Sequence, residues 1–129
     1  MITSYPLTAL STLFVLAVYF LAGGLVARQT YKVIAPSVVG DPAFERAFRA
    51  QQNILEWMPL VLPALWLFAL TLSDGWAATL GLLWSLVRLG YIFAYGAAAD
   101  KRGPYFMAQM AIFMLLWIGA LIGTLRTLF

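Results

Sequence analysis

The chain has 129 residues, of which 64% are hydrophobic, 16% aromatic and only 10% charged. Soluble domains are about 45–50% apolar and about 25% charged, so this composition excludes an ordinary soluble domain and, because its charge is low, also excludes intrinsic disorder. The net charge of +3 is small and scattered along the chain, which excludes a nucleic-acid interface, and the length allows one domain.

Four long apolar stretches dominate the chain. Three of them carry no charged side chain, and the one at residues 75–99 carries only Arg88. These stretches are residues 1–27, 57–73, 75–99 and 103–125. Each is close to the ~20 residues that a helix needs to cross a hydrocarbon core ~30 Å thick. We therefore predict an all-α integral membrane protein, a single domain over residues 1–129 that forms a four-helix up-down bundle. The helices are predicted at about residues 6–28, 42–72, 76–96 and 104–126.

Local signals mark the ends of these helices. No cationic segment precedes the first apolar run, so we expect that helix to be a retained span rather than a cleaved signal peptide. Asp41 and Pro42 are a typical N-cap and first residue for the second helix. A tight turn at residues 73–75 makes the second and third helices antiparallel.

Basic residues indicate the orientation in the membrane. The first and third loops and their flanking turns carry six of them: Arg28, Lys32, Arg46, Arg49, Lys101 and Arg102. The opposite side carries Arg126 alone. The positive-inside rule then makes the first side cytoplasmic, and both termini face outward, toward a lumen or periplasm.

The sequence contains no cysteine and no histidine. This excludes disulfides, thiolate nucleophiles, imidazole bases and most zinc sites, and we expect no metal cofactor. Any chemistry must therefore use Arg, Tyr, Glu or Asn side chains, or a reactive group that the substrate brings.

Polar side chains form one stripe on each of two predicted helices, and such groups at membrane depth are costly unless they face a cavity or the bundle interior. The stripe on the second helix consists of Arg49, Asn53 and Glu56, with Gln52 beside them. The stripe on the third helix consists of Arg88, Tyr91 and Tyr95. A rise of ~1.5 Å per residue places both stripes in the cytoplasmic third of the membrane. If the two faces meet, they line a polar slot that suits a small zwitterionic ligand with several carboxylates.

The alternative is structural. Glu56 would then only neutralise Arg49 or Arg88 between helices, and the amides at residues 51–53 would link helices by hydrogen bonds. Gly119 and Gly123 form a GxxxG step, for which close helix packing is expected rather than binding.

Residues 44–59, FERAFRAQQNILEWMP, resemble the signature of the MAPEG family, the membrane-associated proteins in eicosanoid and glutathione metabolism. The residues that carry the resemblance are Glu45, Arg46, Arg49, Ala50, Gln51, Asn53, Glu56 and Pro59. Further along the chain it is supported by Arg88, Tyr91, Tyr95 and Arg102. The resemblance extends over nearly the whole chain.

This resemblance implies a homotrimer of four-helix subunits in a lipid bilayer, with glutathione as co-substrate near the cytoplasmic face between neighbouring subunits. The residues that it implies for glutathione binding are Arg28, Arg49, Gln51, Asn53, Glu56, Tyr91 and Tyr95, with Arg88 and Gln52 in support. Arg102 is implied to face the sulfur as the catalytic residue, because a nearby cation lowers the pKa of a thiol. The alternative for Arg102 is a loop arginine that only obeys the positive-inside rule. Small residues at Gly23, Gly24 and Gly119 are expected to permit close contacts in the trimer.

Two positions depart from the leukotriene-forming members of that family. Trp57 stands where those members carry a tyrosine, and Gln29 stands where they carry a second arginine beside Arg28. We therefore predict a glutathione transferase or peroxidase that acts on lipophilic electrophiles. One alternative is a non-catalytic lipid-binding protein of the same family. The other is a small four-helix drug/proton exchanger built around Glu56.

Overall fold

The computed structural model describes residues 2–22, 28, 31–35, 37–97 and 103–129. It contains four helices in these ranges, which are α1 (Pro6–Leu21), α2 (Pro42–Thr71), α3 (Asp74–Ala97) and α4 (Gly103–Leu128). A short 3-10 turn, Ile2–Ser4, precedes α1. The all-α, four-helix prediction is confirmed. The predicted continuation of α1 as far as residue 28 falls largely on residues outside the described ranges.

Side-chain and backbone groups at the helix starts explain where α2 and α3 begin. Asp41 caps α2, because its carboxylate accepts a hydrogen bond from the Ala43 backbone N–H at 2.7 Å. α3 begins at Asp74, two residues before the predicted start at Trp76. The Ser73 hydroxyl accepts a hydrogen bond from the Trp76 N–H at 3.2 Å, so Ser73 caps this helix and the turn before it is shorter than predicted.

The helices alternate in direction and pack as an up-down bundle. α1 packs chiefly on α3, while α2 packs on both α3 and α4. Gly123, near the end of α4, lies against Thr71 at the end of α2, so these two helices run in the same direction. Gly90, near the end of α3, lies against Tyr105 at the start of α4, so α3 runs opposite to α4.

The surface of the bundle is that of an integral membrane protein. α2, α3 and α4 are each long and apolar enough to cross a bilayer. The described part of α1 is a shorter apolar helix of 16 residues. Large apolar side chains such as Leu13, Phe20 and Phe93 are exposed on the outside of the bundle, as expected of a protein that lies in a membrane.

Polar contacts join α1 to α3 at the end opposite the predicted site. The Asp74 carboxylate accepts hydrogen bonds from the Thr8 N–H at 2.9 Å, the Thr8 hydroxyl at 2.7 Å and the Leu7 N–H at 3.3 Å. A side chain of α3 therefore caps the first turn of α1. One turn further along, the Ser11 hydroxyl donates to the carbonyl of Ala78 at 3.0 Å. Such bonds hold helices together where water is scarce.

The GxxxG step of α4 packs against α2 of the same chain. A Cβ atom at Gly119 would overlap the ring of Phe68, and one at Gly123 would overlap the side chain of Thr71. The expected packing role is therefore present. The expectation that Gly119 permits a contact between copies of the chain stays a prediction, since Gly119 remains partly exposed beside Phe68.

A leucine at Gly119 is expected to destabilise the bundle by roughly 1–3 kcal/mol, because the added side chain overfills the contact with Phe68. Thermal unfolding in detergent, followed by circular dichroism, measures the change. Gly103→Leu is the matched control, since a Cβ atom at Gly103 meets nothing within 4 Å. Equal melting temperatures for the two variants would show that the contact is loose.

Candidate functional site

The two predicted polar stripes meet at one hydrogen bond. Arg88 of α3 is fully buried in the bundle, and its Nη2 atom donates to the side-chain carbonyl of Asn53 on α2 at 2.5 Å. Asn53 itself is half-buried. The sequence analysis predicted a polar slot if the polar faces of α2 and α3 meet. At this pair of residues the two faces do meet.

Aromatic rings and an amide surround Arg88 inside the bundle. The guanidinium carbon lies 5.4 Å from the centre of the Trp84 ring and 4.5 Å from that of Tyr91, within the range of cation–π attraction. The Trp84 indole N–H donates to the Gln109 side-chain carbonyl of α4 at 3.0 Å. Trp84, Arg88, Tyr91 and Gln109 are all fully buried. We call these four residues and Asn53 the buried polar network; it ties together α2, α3 and α4.

Gln109 and Trp84 are the members of this network that the sequence analysis missed, and Gln109 carried the clearer signal. It lies in a long charge-free stretch of α4, and a glutamine in an apolar membrane helix is itself a signal of an interior contact. Its side-chain nitrogen, like the Nε and Nη1 atoms of Arg88, is buried without a hydrogen-bond partner in the part of the chain that the structure describes.

Arg49 and Glu56 point away from the buried network. Both side chains are exposed on α2, whereas Gln51 and Gln52 are half-buried. Among the described residues, no ion pair joins Glu56 to Arg49 or to Arg88. Within one chain, Glu56 therefore does not neutralise either arginine. Charged groups at this depth need water, a ligand or a neighbouring protein surface around them.

A cavity of about 290 Å³ lies beside Arg49 at the start of α2. Its lining consists of Val38 and Val39 from the preceding loop and of Glu45, Phe48, Arg49 and Gln52 from α2. A space of this size next to an exposed guanidinium can accept a carboxylate-bearing small molecule.

Arg28 holds the loop that forms part of this wall. Its Nη1 atom donates to the Ser37 carbonyl at 2.9 Å. Its guanidinium carbon lies 5.9 Å and 5.4 Å from the ring centres of Phe44 and Phe48 on α2. The side chain thus joins the loop to the first turns of α2, and one of its donors is already used within the chain.

Comparison with known proteins decides the family. Residues 7–122 match the profile of the MAPEG family. The chain belongs to this family. Bovine microsomal glutathione S-transferase 2 is 39% identical over 101 residues, which cover 78% of this chain and 69% of the relative. Rat leukotriene C4 synthase is 37% identical over 107 residues, which cover 82% and 71% respectively.

A bacterial relative extends the similarity. An uncharacterised protein of Synechocystis is 40% identical over 119 residues, which cover 92% of this chain and 85% of the relative. The resemblance recognised in residues 44–59 is thereby confirmed, and the matched segment takes in α2 and α3 completely and most of α1 and α4.

In this MAPEG protein, Trp57 packs α2 onto α4. Its ring meets those of Phe106 and Phe113 edge to face, with centres 6.2 Å and 5.2 Å apart. Trp57, which stands where the leukotriene-forming members carry a tyrosine, therefore packs two helices together through its aromatic ring. The second departure, Gln29, lies outside the described residues.

Several predicted positions fall outside what the structure describes. Arg102, Gly23 and Gly24 lie outside the described ranges, and for Tyr95 the description covers its place in α3 but not its side chain. Their assigned roles rest on the family resemblance. Among the residues that are described, no group of three or more His, Cys, Asp or Glu side chains lies together as a metal site.

An apolar groove of about 410 Å³ runs between α2 and α4. Its lining includes two prolines and a leucine of α2 and two aromatic residues and a leucine of α4, namely Pro59, Pro63, Leu67, Phe113, Trp117 and Leu121. Its lining is almost entirely apolar, so it can hold a hydrocarbon chain or an aromatic ring at membrane depth.

Proposed function

We propose that this chain is a membrane-bound glutathione transferase, with glutathione peroxidase activity as the related reaction, that acts on lipophilic electrophiles. The observation that carries the proposal is the hydrogen bond from buried Arg88 to Asn53, on the face of α2 that also carries exposed Arg49 and Glu56. A relative named as a glutathione S-transferase, 39% identical to the chain, supports glutathione as the co-substrate.

The side chains on this face of α2 match the groups of glutathione. Glutathione carries two carboxylates, one ammonium group, two peptide groups and a thiol. Arginines bind carboxylates through paired N–H donors, which assigns Arg49 and Arg28 to the carboxylates. Glu56 matches the ammonium group, and the amides of Gln51 and Asn53 match the peptide groups. Tyr95 completes the proposed site, and Tyr91, which the family resemblance also assigned to it, is fully buried and therefore joins Gln52 and Arg88 in support.

The reaction needs only the thiol of glutathione as nucleophile. A cation beside the sulfur favours the thiolate, and we assign this role to Arg102. The thiol proton passes to solvent, the sulfur forms a bond to the electrophilic carbon, and the leaving group takes the electrons of the broken bond. In the peroxidase reaction, two glutathione molecules reduce one hydroperoxide to an alcohol and water and become a disulfide.

The site is proposed to lie between neighbouring copies of the chain in a homotrimer, in contact with membrane lipids. Arg49 and Glu56 are exposed and without an ion pair to each other in the described part of a single chain. Exposure of charged groups on a helix that crosses a membrane is unfavourable unless a neighbour or a ligand covers them. We propose that the site faces the cytoplasm and that both termini face outward, because the basic residues of the loops follow the positive-inside rule.

Native mass spectrometry of the protein, released from detergent under conditions that preserve activity, is expected to give three times the monomer mass. The reason is that a trimer supplies the missing wall beside Arg49 and Glu56. An active monomer would refute the shared site.

The second candidate is a MAPEG-type protein that binds lipid without catalysis, and the apolar groove between α2 and α4 favours it. The exchanger alternative has less support. Glu56 is unpaired among the described residues, as a transport carboxylate would be. The glutathione S-transferase and the leukotriene C4 synthase described above, however, are not named as transporters.

The test is glutathione binding and turnover by the purified protein. Isothermal titration in detergent is expected to detect binding of glutathione. 1-Chloro-2,4-dinitrobenzene is then expected to lose chloride to the bound thiolate, with a change in absorbance that reports the rate. A protein that binds lipid but neither binds nor conjugates glutathione would establish the non-catalytic candidate.

A further inference from the structure

Arg88 is chemically restricted in what it can do to Asn53. A guanidinium has hydrogen-bond donors and no acceptor, so the atom of Asn53 that faces it must be the carbonyl oxygen. The Arg88–Asn53 contact, from Nη2 to Oδ1, therefore determines which way the Asn53 amide is turned. The NH₂ group of Asn53 is turned away from Arg88, and among the described residues it donates to no acceptor.

The remainder of the buried polar network keeps Arg88 in place. The rings of Trp84 and Tyr91 lie within cation–π distance of the guanidinium, and Trp84 is in turn hydrogen-bonded to Gln109 of α4. Arg88 has no exposed surface in the chain. A side chain so enclosed is placed to orient a neighbour rather than to meet a ligand directly.

Asn53 connects the enclosed network to the outer face of α2. It is half-buried, and it lies four residues after Arg49 and three residues before Glu56, so all three share one face of the helix. A donor from Asn53 on this side is suited to a peptide carbonyl or a carboxylate of a bound ligand.

We propose that Arg88 is a positioning residue, which turns the Asn53 amide so that its NH₂ group donates to glutathione held beside Arg49 and Glu56. This inference rests on the proposed function, because it takes glutathione as the ligand. Arg88 acts through Asn53 and makes no contact with glutathione.

Asn53 is the sole asparagine of the sequence, which permits a direct spectroscopic test. Protein labelled with ¹⁵N in the asparagine side chain gives one NH₂ signal in an NMR spectrum. In ligand-free protein, Arg88→Met is expected to move this signal, because the carbonyl of Asn53 loses its donor. Glutathione is expected to move the wild-type signal further. Arg88→Lys should restore part of the ligand-free position, since an ammonium group can also donate to the carbonyl.

A double-mutant cycle on glutathione affinity separates positioning from direct contact. Asn53→Ala and Arg88→Met are each expected to weaken binding on the order of tenfold, the size of one lost hydrogen bond. In the Asn53→Ala background, Arg88→Met is expected to add less than about twofold, because the residue through which it acts is gone.

Ser85→Ala is the matched control on the same helix. Ser85 is buried, and its hydroxyl donates to the Gly81 carbonyl within α3 at 3.0 Å. This variant is expected to leave both the Asn53 signal and glutathione affinity unchanged. If Arg88→Met does not fold, Arg88→Lys takes its place in the cycle, with an intermediate loss of affinity expected.

Two results would overturn the positioning role while leaving the proposed function intact. One is additive losses in the cycle, which would mean that Arg88 acts on the ligand independently of Asn53. The other is an Asn53 signal that does not respond to substitution of Arg88. If the wild-type protein does not bind glutathione at all, the proposed function fails and the positioning role falls with it.

Discussion

Alanine in place of Arg49 or Glu56 is expected to weaken glutathione binding by about 2–5 kcal/mol, the usual cost of removing one partner from a desolvated charge pair. Loss of Arg49 would leave a ligand carboxylate without its hydrogen-bond donors. Loss of Glu56 would leave the ligand ammonium group without its counter-charge. The dissociation constant, measured by isothermal titration, should therefore rise by well over tenfold in each variant.

The same two variants should fold normally. Both side chains are exposed in the single chain, and among the described residues neither is joined to the other by an ion pair. Arg126→Ala is the control for the loss of one positive charge, because Arg126 lies in the last turn of α4, away from the proposed site. Unchanged affinity in both variants would rule out the site. Loss of folding in both would instead favour a structural role for the two charges.

Leucine at Arg102 is expected to raise the pKa of the bound glutathione thiol and to reduce turnover. The physical reason is that a guanidinium beside the sulfur stabilises the thiolate relative to the thiol, by about 1.4 kcal/mol for each pKa unit. Thiolate absorbs in the near ultraviolet and thiol does not, so a pH titration of the complex measures ionisation directly.

The effect of Arg102 should be separable from binding. Glutathione affinity is expected to stay nearly constant, because the carboxylate and ammonium contacts are assigned to other residues. Lysine at this position should recover part of the lost ionisation, since it retains the charge but not the planar pair of donors. If the wild-type complex contains no thiolate at neutral pH, or if the leucine variant ionises glutathione equally well, the non-catalytic candidate becomes the better one.

Periodicity predicted part of the site and could not predict the rest. Counting from the turn between α2 and α3 places both polar stripes in the cytoplasmic third of the membrane, and the structure joins them at Asn53 and Arg88. Spacing did not reveal that Arg88 enters the bundle core while Arg49 and Glu56 stay outside. The direction in which a helix face points depends on which helices pack around it, and the sequence of one helix does not identify those helices.

Gly119 and Gln109 illustrate the same limit on α4. Small size predicted close packing at Gly119, but only the bundle shows that Phe68 of the same chain occupies that contact. Gln109 carried a recognisable signal, a polar amide in an apolar helix, yet its partner Trp84 is an ordinary aromatic residue in the sequence. Partners across helices must be found in three dimensions.

The sequence by itself determined the membrane class, the helical architecture and the family. In a bilayer the backbone polar groups need hydrogen bonds within the protein, and an apolar stretch of ~20 residues supplies all of them itself when it forms a helix. Only the tertiary structure decided which polar groups are enclosed together. The contact of Arg88 with Asn53, and its link through Trp84 to Gln109, depend on how α2, α3 and α4 are rotated about their axes. That rotation is set by packing between helices rather than by any one segment.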